Sequence, residues 1–539
     1  MQGKKKYAEK LFVQFQLSDR VPEDNFYRRL DNALDLQFLY KATASFYGEE
    51  GQQSIDPIVF FKLMMVGYFE NVCSDRKIMS LASMRLDVLF FIGYDIDEPL
   101  PWHSTLSRTR QLYGEEIFLQ LFQKVLSLCI QRGMVRGKRQ AIDSAFIKAN
   151  ASLDSLMEKE IIDDAATYIK SLEDEKNDKP HDDSNQKKVN ENQTVKASTK
   201  KWVDKHHAWK EKEYKGQPGK VNTTGQSNKI DNRDEHGDII RPKFLSNHTH
   251  YSPTDPDARI SVKPGKSRQL NYFGQLAVDD AHHVITGAMA NFADKRDSQC
   301  LPAILDQSIN NLAEHDISIE EICADTAYSS GTSLNHIEQN NITAYIPNFG
   351  QYRNSREGFI YNKTLDQYEC QRGNKAILTF KGIRTDSKGY DKKTYRSSET
   401  DCKNCPLRLS CAGAKTKFKK IDDSIDKPYY DRMHERMQTE YAKTMGRIRS
   451  KTVEPVLGTL LNFMAMRRVN TRGIKQANKH VMMAALCYNI KKYLKFIRLK
   501  SIANKNYKLV TSESVNKYFN QLFRKHFKAI TTNTIFNKS

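Results

Sequence analysis

The chain has no run of about 18 apolar residues, and its start, Met1-Gln2-Gly3-Lys4-Lys5-Lys6, lacks the architecture of a signal peptide. Neither a membrane span nor export is expected, which leaves a soluble cytoplasmic protein. Cysteine is sparse, nine in 539 residues, too few for a disulfide framework in so long a chain. Cys73, Cys129, Cys300, Cys323 and Cys487 lie among apolar neighbours and read as packed thiols. No serine or tyrosine motif demands a covalent protein–substrate intermediate. Acid is in deficit, with 65 Asp and Glu against 85 Lys and Arg, a net charge of +20. The resulting pI near 9.3 favours a polyanionic partner, DNA first, with an anionic membrane surface as the other candidate.

What is present is enough chain for two or three domains. Residues 1–137 read as helical. Tyr27, Leu30, Leu34 and Phe38 fall at helical spacing, and Asp56-Pro57 is an N-cap followed by proline at the first helical position. Ser74 can cap a further helix, and Pro101 to Thr105 opens one that carries Arg108 and Arg110. Short helices of this kind suit a helix-turn-helix-like DNA-binding module, and equally an all-helical packing domain.

Residues 138–347 read differently. A strand at Arg139–Asp143 is followed by a charged, polar insertion over 154–250 that cannot bury a core, with a basic helix expected around 200–215. A β-hairpin follows at 270–289, turning at Asp279-Asp280, then a helix, a strand ending on Asp325, a helix and a strand at 342–347. That order describes a mixed α/β sheet. Residues 348–433 hold four cysteines, 434–500 form two helices with a break expected near Pro455, and 501–539 are a basic tail. The expected fold class is therefore α/β, with an N-terminal all-helical domain and an inserted cysteine-bearing subdomain.

Three segments put one acid each at the edge of a short apolar stretch: Ala141-Ile142-Asp143-Ser144, Ala324-Asp325-Thr326-Ala327-Tyr328 and Val453-Glu454-Pro455-Val456. A sheet can bring Asp143, Asp325 and Glu454 together. Hard cations such as Mg²⁺ take oxygen ligands, and a pair ~3.5–4 Å apart can clamp both attacking and leaving oxygens of a phosphoryl transfer. Other acids compete. Asp279-Asp280 suit the hairpin turn, Asp294 and Asp297 suit helix caps, and Asp255 and Asp257 sit in a proline-containing loop near enough in sequence to contribute. Pro455 disfavours helix at the residue before it, which predicts Glu454 at a helix start or break. Cys402-x₂-Cys405 with Cys411, and Cys370 upstream, has the ligand count of a closed, structural Cys₄ zinc site; the alternative is four unrelated thiols.

Taken in order, Pro101-Trp102-His103-Ser104-Thr105-Leu106-Ser107-Arg108, Ala141-Ile142-Asp143-Ser144, Thr254-Asp255-Pro256-Asp257-Ala258-Arg259, Gly274–Asp279, Ala324–Tyr328, Cys402–Arg408 and Val453–Gly458 resemble the DDE transposases of bacterial insertion sequences. The similarity covers roughly 25–155 and 245–500. It implies an RNase H-like catalytic core, Asp143, Asp325 and Glu454 as catalytic ligands of two Mg²⁺ (or Mn²⁺), and cleavage of element ends followed by strand transfer to target DNA. Cutting at two ends implies at least a homodimer on DNA. The sequence departs from the family around the Glu helix, where Arg447, Ser450 and Leu461 replace the usual Tyr, Arg and Lys, and Ala327 stands for the usual Gly. Arg447, Arg449, Lys451 and Arg467 are then the expected phosphate contacts of the core, with Arg108 and Arg110 those of the N-terminal region. A decayed, non-catalytic DNA-binding regulator and a metal-dependent nuclease remain the alternatives.

Overall fold

The computed structural model describes residues 15–48, 54–162, 194–205, 246–261, 268–350, 352–353, 355–386, 389–413 and 415–500. Most of the 154–250 insertion and the tail beyond 500 lie outside these residues. Of the basic helix expected at 200–215, the described part is helical over 197–205.

The N-terminal region is built on α1 (Pro57–Phe69), α2 (Asp75–Met84), α3 (His103–Leu112) and α4 (Glu115–Gln131), with shorter helices at Phe26–Ala33, Phe38–Thr43 and Leu86–Ile92. Asp56 caps α1 as its sequence requires, accepting the Ile58 and Val59 amides at 2.6 and 3.1 Å ahead of Pro57. Ser74 occupies the cap position of α2, but its hydroxyl makes no capping bond. α1 is buried on nearly every side, the mark of a helix inside a core rather than one presented to a partner.

The central sheet comprises β1 (Arg139–Lys148), β2 (Gln269–Asp279), β3 (Ile285–Phe292), β4 (Glu321–Cys323) and β5 (Thr343–Tyr345), in the order β3–β2–β1–β4–β5. A short strand, Arg259–Ser261, pairs with the beginning of β2. β1, β2 and β3 are antiparallel; β4 and β5 join parallel to β1 through α5 (Asp297–Ala313) and α6 (Gly331–Gln339). The hairpin turns at Asp279, whose buried carboxylate accepts the Gly137 and Ala281 amides at 2.8 and 3.0 Å. This is the turn role expected for Asp279-Asp280.

After an inserted antiparallel sheet, α7 (Lys427–Met437), α8 (Glu440–Phe463) and α9 (474–500) complete the core. The break expected at Pro455 does not occur: α8 runs unbroken through it. Lys451, whose carbonyl loses its helical partner at this proline, and Pro455 itself both lie on the exposed side, where water can satisfy that carbonyl.

Residues 481–490 of α9 are all buried, so this helix acts as a pillar between the N-terminal helices and the sheet. On one side Tyr68 of α1 bonds His480 Nδ1 at 2.7 Å, and Lys479 donates to the Arg110 and Tyr113 carbonyls at 3.0 and 2.5 Å. On the other, the Asn489 amide bonds both N–H and C=O of Ile285 on β3, at 2.9 and 2.8 Å. One hydrophobic cluster consequently runs from Tyr27 through the sheet to Leu494. The described helices of the region expected as a separate domain over 1–137 share their core with the central sheet. Asp255 and Asp257 belong to the same scaffold: they accept the Gly473 and Ile474 amides at 3.0 and 2.9 Å and fasten the start of α9. Among the described residues no helix is long and apolar enough to cross a membrane.

Candidate active site

β1 and β4 are adjacent parallel strands with Ala141 opposite Cys323. Two residues beyond that pair come Asp143, still on β1, and Asp325, just past the end of β4, near enough that the charge of Asp325 acts on Asp143. Asp325 keeps an extended backbone, φ −80° and ψ 175°, and caps the turn Thr326–Tyr328 by accepting the Ala327 amide at 2.9 Å. α8 packs across β1 and brings Glu454 over the same ends. Its side chain is 55% exposed and faces outward.

A single guanidinium ties these acids together. Arg449, one and a half turns before Glu454, donates to Asp143 Oδ2 at 3.0 Å and to Glu454 Oε1 at 3.1 Å. Burial pushes the Asp143 carboxyl up to about 6, and the charges of Asp325 and Asp297 push the same way, while the Ser144 amide and Arg449 pull it down. Loss of water around the buried Asp143 carboxylate thus outweighs the favourable contacts that Ser144 and Arg449 give it. Among the described residues no three His, Cys, Asp or Glu side chains are close enough to hold a metal ion as they stand. A cleft of about 250 Å³ opens beside the site, walled by Asp325, Thr326, Tyr345, Pro347 and Arg449.

Behind Asp143 lies a polar layer that sequence reasoning did not identify. The Ser144 hydroxyl donates to Asp297 at 2.6 Å, Gln275 reaches the same carboxylate at 3.5 Å, and the buried Tyr328 hydroxyl donates to Gln275 at 2.6 Å. Asp297 was expected to cap α5; the cap position belongs to Arg296, and Asp297 turns to the site from the first residue of the helix. Asp294 makes no cap either and pairs with Arg259 at 3.4 Å. The signal for Asp297 was its place at the start of a helix after the hairpin, which also fits an ordinary cap.

The expected DNA contacts divide. Arg108 is exposed on α3, and Arg447, Lys451 and Arg467 are exposed on or just after α8. Arg110, two residues from Arg108, points the other way: it is buried and pairs with Asp75 at 2.6 and 3.0 Å. It cannot reach a phosphate while so held, and its role is internal. Arg449 is committed to the acids.

Away from the triad, the four cysteines of the insertion are all free and line one cavity of about 320 Å³. They come from the strand end at Cys370 and from two single-turn helices, Glu399–Lys403 and Arg408–Cys411, with Cys405 between them.

Comparison with known families adds two matches. Residues 15–112 match a family model described as a transposase domain (DUF772), and residues 369–494 match one described as a transposase DDE domain. The second match contains Glu454; Asp143 and Asp325 lie outside both. Neither a curated protein nor a solved structure matches the chain. Two transposase models matched in order along one chain make it similar to DDE transposases over those residues.

Proposed function

We propose that the chain cleaves the ends of its insertion sequence and joins them to target DNA by two-metal-ion phosphoryl transfer on an RNase H-like core, with Asp143, Asp325 and Glu454 as the ligand triad. The observation that carries this reading is Asp143 on β1 beside Asp325 at the end of the neighbouring parallel strand, with Glu454 tied to Asp143 through Arg449. The strand order, three antiparallel strands extended by two parallel ones, supports the RNase H-like assignment.

The donor set suits Mg²⁺ or Mn²⁺: three hard carboxylates, two of them tied to one another through Arg449. When bound, such cations activate a water or a 3′-hydroxyl and stabilise the charge on attacking and leaving oxygens. The chain's own residues do the rest. Asp325 is held in place by the Ala327 amide, and Asp143 is positioned by its strand and by the Ser144 amide. Arg449 supplies the positive charge between Asp143 and Glu454. If bound cations supplied that charge instead, the Arg449 guanidinium would be free to turn to a DNA phosphate. The exposed Arg447 and Lys451 neutralise the backbone alongside, position-setting contacts that carry no sequence information. Water and then the freed 3′-end act as nucleophiles, so no covalent protein–DNA link is required. Two ends must be handled, which calls for a dimer or larger assembly on DNA.

The test uses full-length protein with Mg²⁺ and two substrates, intact element ends and pre-cut ends with target DNA. The proposal requires cleavage of the first and strand-transfer products from the second, both lost in Asp143→Asn, Asp325→Asn and Glu454→Gln with DNA affinity nearly unchanged. Cleavage without joining would reduce the protein to a nuclease. Binding without either reaction in the wild type would make it a regulator.

A further inference from the structure

The inserted sheet has too little core for its size. It is a five-stranded antiparallel meander, β6 (Phe359–Asn362), β7 (Gln367–Cys370), β8 (Ile377–Thr385), β9 (Asp391–Ser397) and β10 (Lys420–Ser424). Its buried cluster is Tyr368, Leu378, Tyr395 and Ile421, with Phe359 and Tyr361 partly covered. Ile360, Ile377, Phe380 and Ile383 are 41–57% exposed, so little covers the sheet beyond that cluster. A unit of this length with so small a core usually needs a staple. The loop between β9 and β10 needs one most. It carries the two single-turn helices, and neither buries a single residue.

The thiols stand where that staple would act. Cys370 ends β7, while Cys402, Cys405 and Cys411 all lie in the weakly packed loop, and the four line one cavity. The two sides already touch. Gly373, in the turn after Cys370, has φ +56°, and a Cβ there would collide with the Cys405 sulfur. A residue other than glycine would therefore force the strand end and the loop apart. Cys370 and Cys402 now spend their thiols locally: the first donates to the Arg372 carbonyl at 2.8 Å, the second lies 3.1 Å from the Ser397 hydroxyl. As they stand the four side chains do not gather around one point, so binding a single ion requires them to turn from these local bonds. No pair is joined as a disulfide.

We infer that Cys370, Cys402, Cys405 and Cys411 form a closed tetrahedral thiolate site for Zn²⁺ that pins the 398–413 loop to the end of β7. Four deprotonated thiolates match zinc in number and softness, with Zn–S bonds of ~2.3 Å, and leave no open position for chemistry. Binding displaces four thiol protons, and nothing is oxidised or reduced. The site is structural and independent of the carboxylate triad.

The test is metal analysis of the purified full-length protein, kept reduced. One zinc per chain is expected, released as the thiols are titrated with a mercurial, with Co²⁺ in its place giving intense thiolate-to-cobalt absorption. Cys402→Ser/Cys405→Ser should lose the metal, whereas Glu454→Gln should keep it. Should the double variant not fold, the mercurial titration of the wild type still decides, because zinc must leave in step with four thiols. Zinc below about one-fifth of a mole per chain after reconstitution, no cobalt–thiolate band, or a brown iron–sulfur chromophore would each overturn the inference.

Discussion

Two regions flank the central sheet, and their relation to it is the reverse of what their sequences suggest. Residues 15–131 look like a self-contained helical module, yet their core is continuous with that of the sheet, through α9. Residues 359–424 look like an interruption of the catalytic domain, yet they have a core of their own, separate and small. The N-terminal helices are held by apolar burial on the scale of the whole molecule. The insertion is held by a handful of aromatic residues and, on our proposal, by a metal. Whether a segment is a domain depends on where its apolar faces go, and composition along the chain does not record that.

The largest test of this contrast is to remove each region in turn. Deleting residues 1–135 should leave α9 with an uncovered apolar face and yield aggregated protein, whereas replacing 351–424 with a short Gly/Ser linker should leave a cooperatively folding core. A gentler version compares Phe118→Ala with Tyr395→Ala in urea unfolding. Phe118 is fully buried in the shared core, and its loss should cost about 3–5 kcal/mol in the main transition. Tyr395→Ala should leave that transition in place and increase hydrogen exchange only within the insertion. Equal effects of the two variants on the main transition would erase the distinction.

A pH test sharpens the same point at the seam between α1 and α9. Burial lowers His480 from 6.5 to about 4, with Arg110 acting the same way and the Met466 carbonyl opposing it. The unfolded chain therefore binds the extra proton first. The stability that neutral His480 contributes is full above pH 6.5 and is lost as pH falls toward about 4. That shift corresponds to about 3 kcal/mol. His480→Gln should flatten the stability profile over this interval by a comparable amount; an unchanged profile would place the seam elsewhere.

Arg449 offers a smaller effect. Its ion pair with the half-exposed Glu454 is screened, so Arg449→Ala should tighten Mn²⁺ binding by only about two- to fivefold, the equivalent of ~0.4–1 kcal/mol. Smallest is Arg108→Ala, which should weaken DNA binding evenly across sequences and reduce the salt slope by ~1.

Several local elements could be read from sequence. The strand entering at Arg139, which runs on past Asp143 to Lys148, the strand that ends just before Asp325, the hairpin at 270–289 and the cap at Asp56-Pro57 follow from local chemistry alone. What escaped depends on partners distant in sequence. Arg110 resembles Arg108 until Asp75 claims it. Asp297 resembles a cap until Ser144 reaches it from β1. Pro455 resembles a helix break until one sees that its missing hydrogen bond lies on the solvent side. The bridge from Arg449 to two acids needs β1 and α8 in contact, and no spacing in the chain announces it.

The central claim is that Asp143, Asp325 and Glu454 form one cation site, and Mn²⁺ titration followed by electron paramagnetic resonance tests it most directly. Wild-type protein should bind Mn²⁺ in competition with Mg²⁺, and Asp143→Asn, Asp325→Asn and Glu454→Gln should each weaken that binding by tenfold or more. Wild-type affinity in any one variant would remove that residue from the site, and wild-type affinity in all three would contradict the account.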